Sequence, residues 1–209
     1  MKHLLTFVFL FTFPAAVFAT QQMPDIIQYE GKTCELATSW EYPSPLEVYF
    51  RVSGKKYPFE ELHTANYRGH VATWELSNNT LYLVSVSVEK KKIDLAMLFQ
   101  DKDVKNKINA SWFTGIAWVK TGKHKKEYDG GTYSIAYENY VFLRFKQGKK
   151  EKKVILTDKE YWKALGEYFE RRDTDNPVKD GVIFEYMQYI NSFREKQETH
   201  NTPDPGSGK

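Results

Sequence analysis

The side chains in this 209-residue chain best placed to act on another molecule are lysines, which come in runs. Lys90, Lys91 and Lys92 form one run. Lys123, Lys125 and Lys126, with His124 among them, form a second, and Lys146, Lys149, Lys150, Lys152 and Lys153 a third. Ammonium groups gathered at strand ends and loops can steer an acidic partner or meet a phosphate-rich surface. They do not supply the planar two-point recognition for which arginine is used, and exposed turns and edges also carry lysine merely for solubility. Trp40 and Tyr42 are the aromatic candidates. Pro43 and Pro45 keep WEYPSP out of a regular central strand, so both rings sit near a loop, where they could stack on a sugar, anchor a protein contact or plug the end of a core.

Other chemistries lack their patterns. His63, His70, His124 and His200 show no i, i+4 spacing and have no CxxC partner for zinc, which leaves only a metal site assembled from distant residues. DTDNPVKDG fails as a calcium loop: Pro177 takes the fifth place, and neither the sixth-place glycine nor the twelfth-place glutamate is present. There is no nucleophile elbow, phosphate-cradling glycine loop or paired-carboxylate signature, and Glu75, Asp94, Asp129 and Glu138 read as scattered solvated acids. No cofactor is implied. The single cysteine, Cys34, cannot form an internal disulfide. It reads as buried and inert, with a reactive thiol or an interchain bridge as the alternatives.

The ends set the compartment. Met1 to Ala19 reads as a secretory signal peptide: Lys2 and His3 form the polar start, Leu4 to Val17 a short apolar run, and Val17-Phe18-Ala19 the cleavage site. The expectation is a periplasmic or secreted protein beginning near Thr20, folded as one domain over residues 20–196 with a disordered tail over 197–209. Thirty Lys and Arg against 27 Asp and Glu is too even a balance for a nucleic-acid binder. Membrane contact is expected only through the signal peptide before cleavage.

The elements that must position these side chains are mostly strands. Arg68 to Val88 reads as a hairpin turning at Asn78-Asn79, with Leu76 opposite Leu81, Trp74 opposite Leu83 and Ala72 opposite Ser85, and with both faces covered. Residues 20–28 read as a flexible lead and Tyr29 to Ala37 as a short strand. Pro45 opens a short helix with Ser44 as its N-cap. Leu95, Leu98 and Phe99 have helical spacing. Ala110 to Val119 reads as a strand with Trp112, Thr114, Ile116 and Trp118 on one face and, on the other, Gly115 marking a bulge or a close backbone approach. Lys120 to Gly131 reads as a polar loop, Thr132 to Lys146 as a long strand bending near Glu138-Asn139, QGKKE as a loop, and Lys152 to Leu156 as a strand. The period then becomes helical. Thr157 and Glu160 form a capping box before the stripe Tyr161, Trp162, Leu165, Tyr168 and Phe169, and a second helix runs from about Pro177 or Asp180 to Glu195.

Between about Tyr29 and Glu138, the segments YEGKTCELAT, RGHVATWEL, LYLV, ASWFTG and YSIAYEN resemble a set of small bacterial β-rich proteins without an established activity. The resemblance implies a β-rich domain and no catalytic pattern. The fold expected from all of this is α+β: a mostly antiparallel sheet of about six strands followed by two C-terminal helices. The function expected is a non-enzymatic binding protein of the immunity or inhibitor kind. Its partner is another protein, met through Trp40, Tyr42, Lys123, Lys125, Lys126, Lys149, Lys150, Lys152 and Lys153. A secreted enzyme and an envelope glycan binder are the alternatives.

Overall fold

A computed structural model of the chain describes residues 22–38, 43–100, 104, 106–129 and 132–201, with the backbone alone at 126–129, 132–134 and 193–201. The expected signal peptide, Trp40, Tyr42 and residues 202–209 lie outside the described residues. The strands are β1 (Asp25–Tyr29), β2 (Lys32–Leu36), β3 (Val71–Ser77), β4 (Thr80–Val88), β5 (Lys91–Ile93), β6 (Ile108–Asn109), β7 (Gly115–Asp129), β8 (Thr132–Lys146) and β9 (Lys149–Thr157). The helices are α1 (Pro45–Ser53), α2 (Leu95–Leu98), α3 (Asp158–Arg171) and α4 (Gly181–Asn201). The class is α+β, but the sheet has nine strands rather than about six, and α1 and α2 precede the last strands instead of following them.

The sheet runs β3-β1-β2-β7-β8-β9-β4-β5, and a further β3–β4 pairing joins its ends, so seven strands close into a ring. All pairings are antiparallel except β1 with β3. Closure removes most edges, but the ring is thin at two seams. β4 meets β9 only at Thr80↔Lys149, and β2 meets β7 only at Glu35↔Lys120 and Leu36↔Val119.

Side-chain alternation divides the core in two. Ile27, Leu36, Trp74, Leu83, Val119, Leu143 and Phe145 share one buried cluster with Leu46, Tyr49 and Phe50 of α1. The other face of β7 and β8 carries Ile116, Trp118, Tyr140 and Phe142, which pack under α3 and α4. Trp118 and Tyr140 both stack on Tyr161 of α3, at centroid distances of 5.5 and 4.2 Å.

Local chemistry accounts for the turns and caps. Asn78 and Asn79 both take positive φ, 49° and 57°, as a type I′ hairpin turn requires. Ser44 caps α1 with Pro45 at its first position, and Thr157 caps α3 with Glu160 returning the bond. Gly115 does mark a close approach, since a Cβ there would lie 2.4 Å from the Tyr189 ring of α4.

Several expectations need correction. Residues 25–28 are not a flexible lead but belong to strand β1; Asp25, Ile27 and Tyr29 face inward, and the buried charge masks the alternation. Ala72 pairs with Val86, not Ser85, because a bulge inserts Val84 opposite the Thr73–Trp74 step and turns Val86 into the core. Only one face of this hairpin is buried; the other, at Thr73, Glu75 and Tyr82, is partly open. Trp112 lies before β7 in a turn, where its indole N–H donates to the Pro45 carbonyl (2.7 Å). Residues 120–129 are strand, not loop, and QGKKE reduces to a tight turn at Gln147-Gly148. Helix α4 runs on through Asn201, past the expected tail start at Gln197, because REKQE consists of good helix formers.

Candidate functional site at a split seam

The densest buried polar cluster surrounds Asp25, which is fully buried. One carboxylate oxygen accepts from Arg68 (3.1 Å) and the Ala72 amide (3.0 Å), and the other from the Ser44 hydroxyl (2.5 Å) and the Trp74 indole (3.0 Å). Arg68 also donates to the Met23 carbonyl (2.7 Å). Burial opposes ionisation of Asp25, but Arg68 and the donated hydrogen bonds outweigh it and hold the carboxyl below its ordinary pKa. A carboxylate offers about four acceptor positions, and all are used, so Asp25 has no lone pair left to take a proton from a substrate. The cluster ties β1, the α1 cap and β3 together. Beside it, burial lowers the His70 pKa to about 4, leaving the ring neutral, and the Tyr57 hydroxyl lies 2.7 Å from its Nδ1. Glu47, which accepts from the Ser44 amide (2.7 Å), is pushed by burial up to about 7, against the pull of Arg68.

The open site lies at the β2–β7 seam. Continuing the register past Glu35↔Lys120 would set Cys34 opposite Thr121, yet the strands part there. The cause is a bulge in β7. Thr121 pairs with Asn139 and His124 with Tyr137, so Gly122 and Lys123 together oppose Glu138. Gly122 has φ +82°, and a Cβ on it would lie 2.7 Å from the Glu138 Cβ, so only glycine fits. The Lys123 amide donates to that carboxylate (3.2 Å). Beyond the bulge β7 and β8 continue as a two-stranded arm.

Two cavities meet at the parting. An inner one of about 410 Å³ opens at the end of the ring, lined by Tyr29, Glu30, Val141 and Ile155. An outer groove of about 860 Å³ runs along Ile26, Glu35, Lys120, Lys123, His124 and Tyr137. Lys32, Cys34, Thr121, Gly122 and Glu138 line both. Lys120 pairs with Glu35 (3.3 Å) and lies over the Tyr137 ring. Cys34 is partly exposed here rather than buried. Burial still raises its thiol pKa, favouring the thiol over the nucleophilic thiolate. Among the described residues no group of three His, Cys, Asp or Glu is arranged to hold a metal ion, and no helix is long and apolar enough to cross a membrane.

The lysine runs do not form one rim. Lys123 and Lys125 are exposed on the arm of β7, and Lys126 follows on the same strand. Lys149, Lys150, Lys152 and Lys153 lie on β9, across β8 and toward its other end. The β8 residues paired with Lys125 and Lys152 are Ala136 and Arg144, some 26 Å apart at about 3.3 Å per strand residue. Much of the β9 run is engaged within the molecule: Lys149 donates to the Thr80 hydroxyl, Lys153 pairs with Glu30, and Lys152 lies 3.6 Å from Glu185, which also binds Arg144. The seam itself was not foreseen, because a gap between strands far apart in sequence leaves no local pattern; Gly122 between two polar residues was its only sign. Also unforeseen are the exposed rings of Trp162 and Phe169 on α3, which the apolar stripe had placed inward.

No family model, curated protein or solved structure matches the chain.

Proposed function

We propose that this is an exported, non-enzymatic binding protein of the immunity or inhibitor kind, whose partner is another protein. The observation that supports it is the open seam: an apolar-floored groove of about 860 Å³, bordered by a strand edge that has no partner strand among the described residues and carries exposed Lys123, His124 and Lys125. Closed rings cover their edges; this one leaves a long basic edge beside a groove, the arrangement that main-chain and charge recognition of a protein segment uses.

Capture from the periplasmic and secreted fractions of the native host tests the reading. The wild-type protein retains one identified protein, and the Lys123→Glu/Lys125→Glu variant, equally stable, loses it. Equal retention by both proteins, or turnover of a small-molecule substrate abolished by changes at the seam, would overturn the proposal.

A further inference from the structure

We propose that the parted edges of β2 and β7 receive an extended, acidic segment of the partner protein as an added strand. This deepens the binding reading above and rests on it. The geometry comes first. Among the described residues, the β7-facing edge of Lys32, Thr33 and Cys34 has no partner strand, nor does the β2-facing edge of β7 from Thr121 to Asp129. Apart from Gly122 at the bulge, those edges present backbone donors and acceptors in extended conformation, and a hairpin arm that projects from a sheet is marginal without a third strand.

Charge selects the occupant. Of the lysines along the groove, Lys120 is matched by Glu35, while the Glu138 carboxylate is turned onto the Lys123 amide. Lys32 and Lys123 are exposed beside them, as is the His124 ring. A second copy of this chain would set one basic β7 edge against another, and like charges directly opposite one another destabilise a strand pair. An acidic segment meets the lysines favourably, and its alternate apolar side chains fall toward Ile26 and Tyr137.

Amide hydrogen exchange of the purified protein by NMR tests this, with a short blocked peptide of alternating glutamate and valine as the probe. Alternate amides within 32–34 and 121–125 are expected to slow by about tenfold or more on binding. The lysine-valine peptide and a glutamate-valine peptide methylated on alternate amide nitrogens give no such protection. Three results would overturn the inference: edge amides already protected in the free protein, as when its own chain fills the seam; binding that leaves those amides unprotected; or no binding at millimolar peptide, as when the lysines only guard the edge. If such a result came with continued Lys123- and Lys125-dependent capture of a partner, strand addition would fall and the binding reading would stand. If capture were indifferent to those lysines, both would fall.

Discussion

The carboxylate of Asp25 and the guanidinium of Arg68 meet at 3.1 Å with both side chains withdrawn from solvent. They lie 43 residues apart in sequence, and the pair closes the ring where β1 runs parallel to β3. Removing one partner strands a buried charge, which costs about 3–5 kcal/mol. Asp25→Asn is therefore expected to lower unfolding stability by that amount in denaturant titration. An Asp25→Asn/Arg68→Met double variant recovers part of the loss; if it were as unstable as the sum of the single changes, the two residues would not act as a pair.

Glu47 and His70 give opposite pH dependences. The folded Glu47 keeps its proton up to about pH 7, whereas the unfolded side chain loses it near 4.5, so this group's contribution to stability falls as pH rises between those values. The folded His70 stays neutral down to about pH 4 while the unfolded ring protonates near 6.5, so its contribution rises with pH across that window. In the wild type the two slopes offset each other. Glu47→Gln is expected to leave stability rising from pH 4.5 to 6.5 and His70→Gln to leave it falling, each by about 1 kcal/mol or more. Matching slopes in the two variants, measured by urea unfolding at several pH values, would refute this.

Gly115 and Tyr189 hold α4 against β7. Gly115→Ala places a methyl group 2.4 Å from the ring, and is expected to cost about 1–3 kcal/mol as the helix shifts outward. Tyr189→Ala relieves the clash, so the double variant loses less than the two single changes together. Thermal unfolding of all three variants measures it.

Much of this frame was legible locally. Asn78-Asn79, Ser44-Pro45 and Thr157 with Glu160 each signal their element through backbone chemistry confined to a few residues. Gly115 revealed its close approach for the same reason. What was not legible is non-local. The ring depends on β1 pairing with β3, and β1 was hidden because its inward alternation begins with a charged residue whose partner lies far along the chain. The arm was hidden because TGKHKKEYD is poor in strand-forming residues; it is a strand because β8 pairs with it along its length. The lysine runs are therefore plain in the sequence, but their division between two distant strands is not.

Cys34 offers a reporter at the seam. With its thiol pKa raised by burial, alkylation by iodoacetamide at pH 7.5 is expected to be slower than in the unfolded chain, and to accelerate only above the usual cysteine range. A bound segment slows it further. Rapid alkylation at neutral pH, unaffected by partner, would place the thiol outside the site.

Association kinetics against the captured partner over a range of salt test the central claim most directly. Exposed charges steer encounter over a Debye length of about 10 Å at 0.1 M salt. Lys123→Glu/Lys125→Glu is expected to slow association about tenfold or more at low salt, with the difference fading as salt rises, while Lys149→Glu/Lys150→Glu on β9 leaves the rate nearly unchanged. Equal association rates for the wild type and the Lys123→Glu/Lys125→Glu variant at low salt would contradict the account.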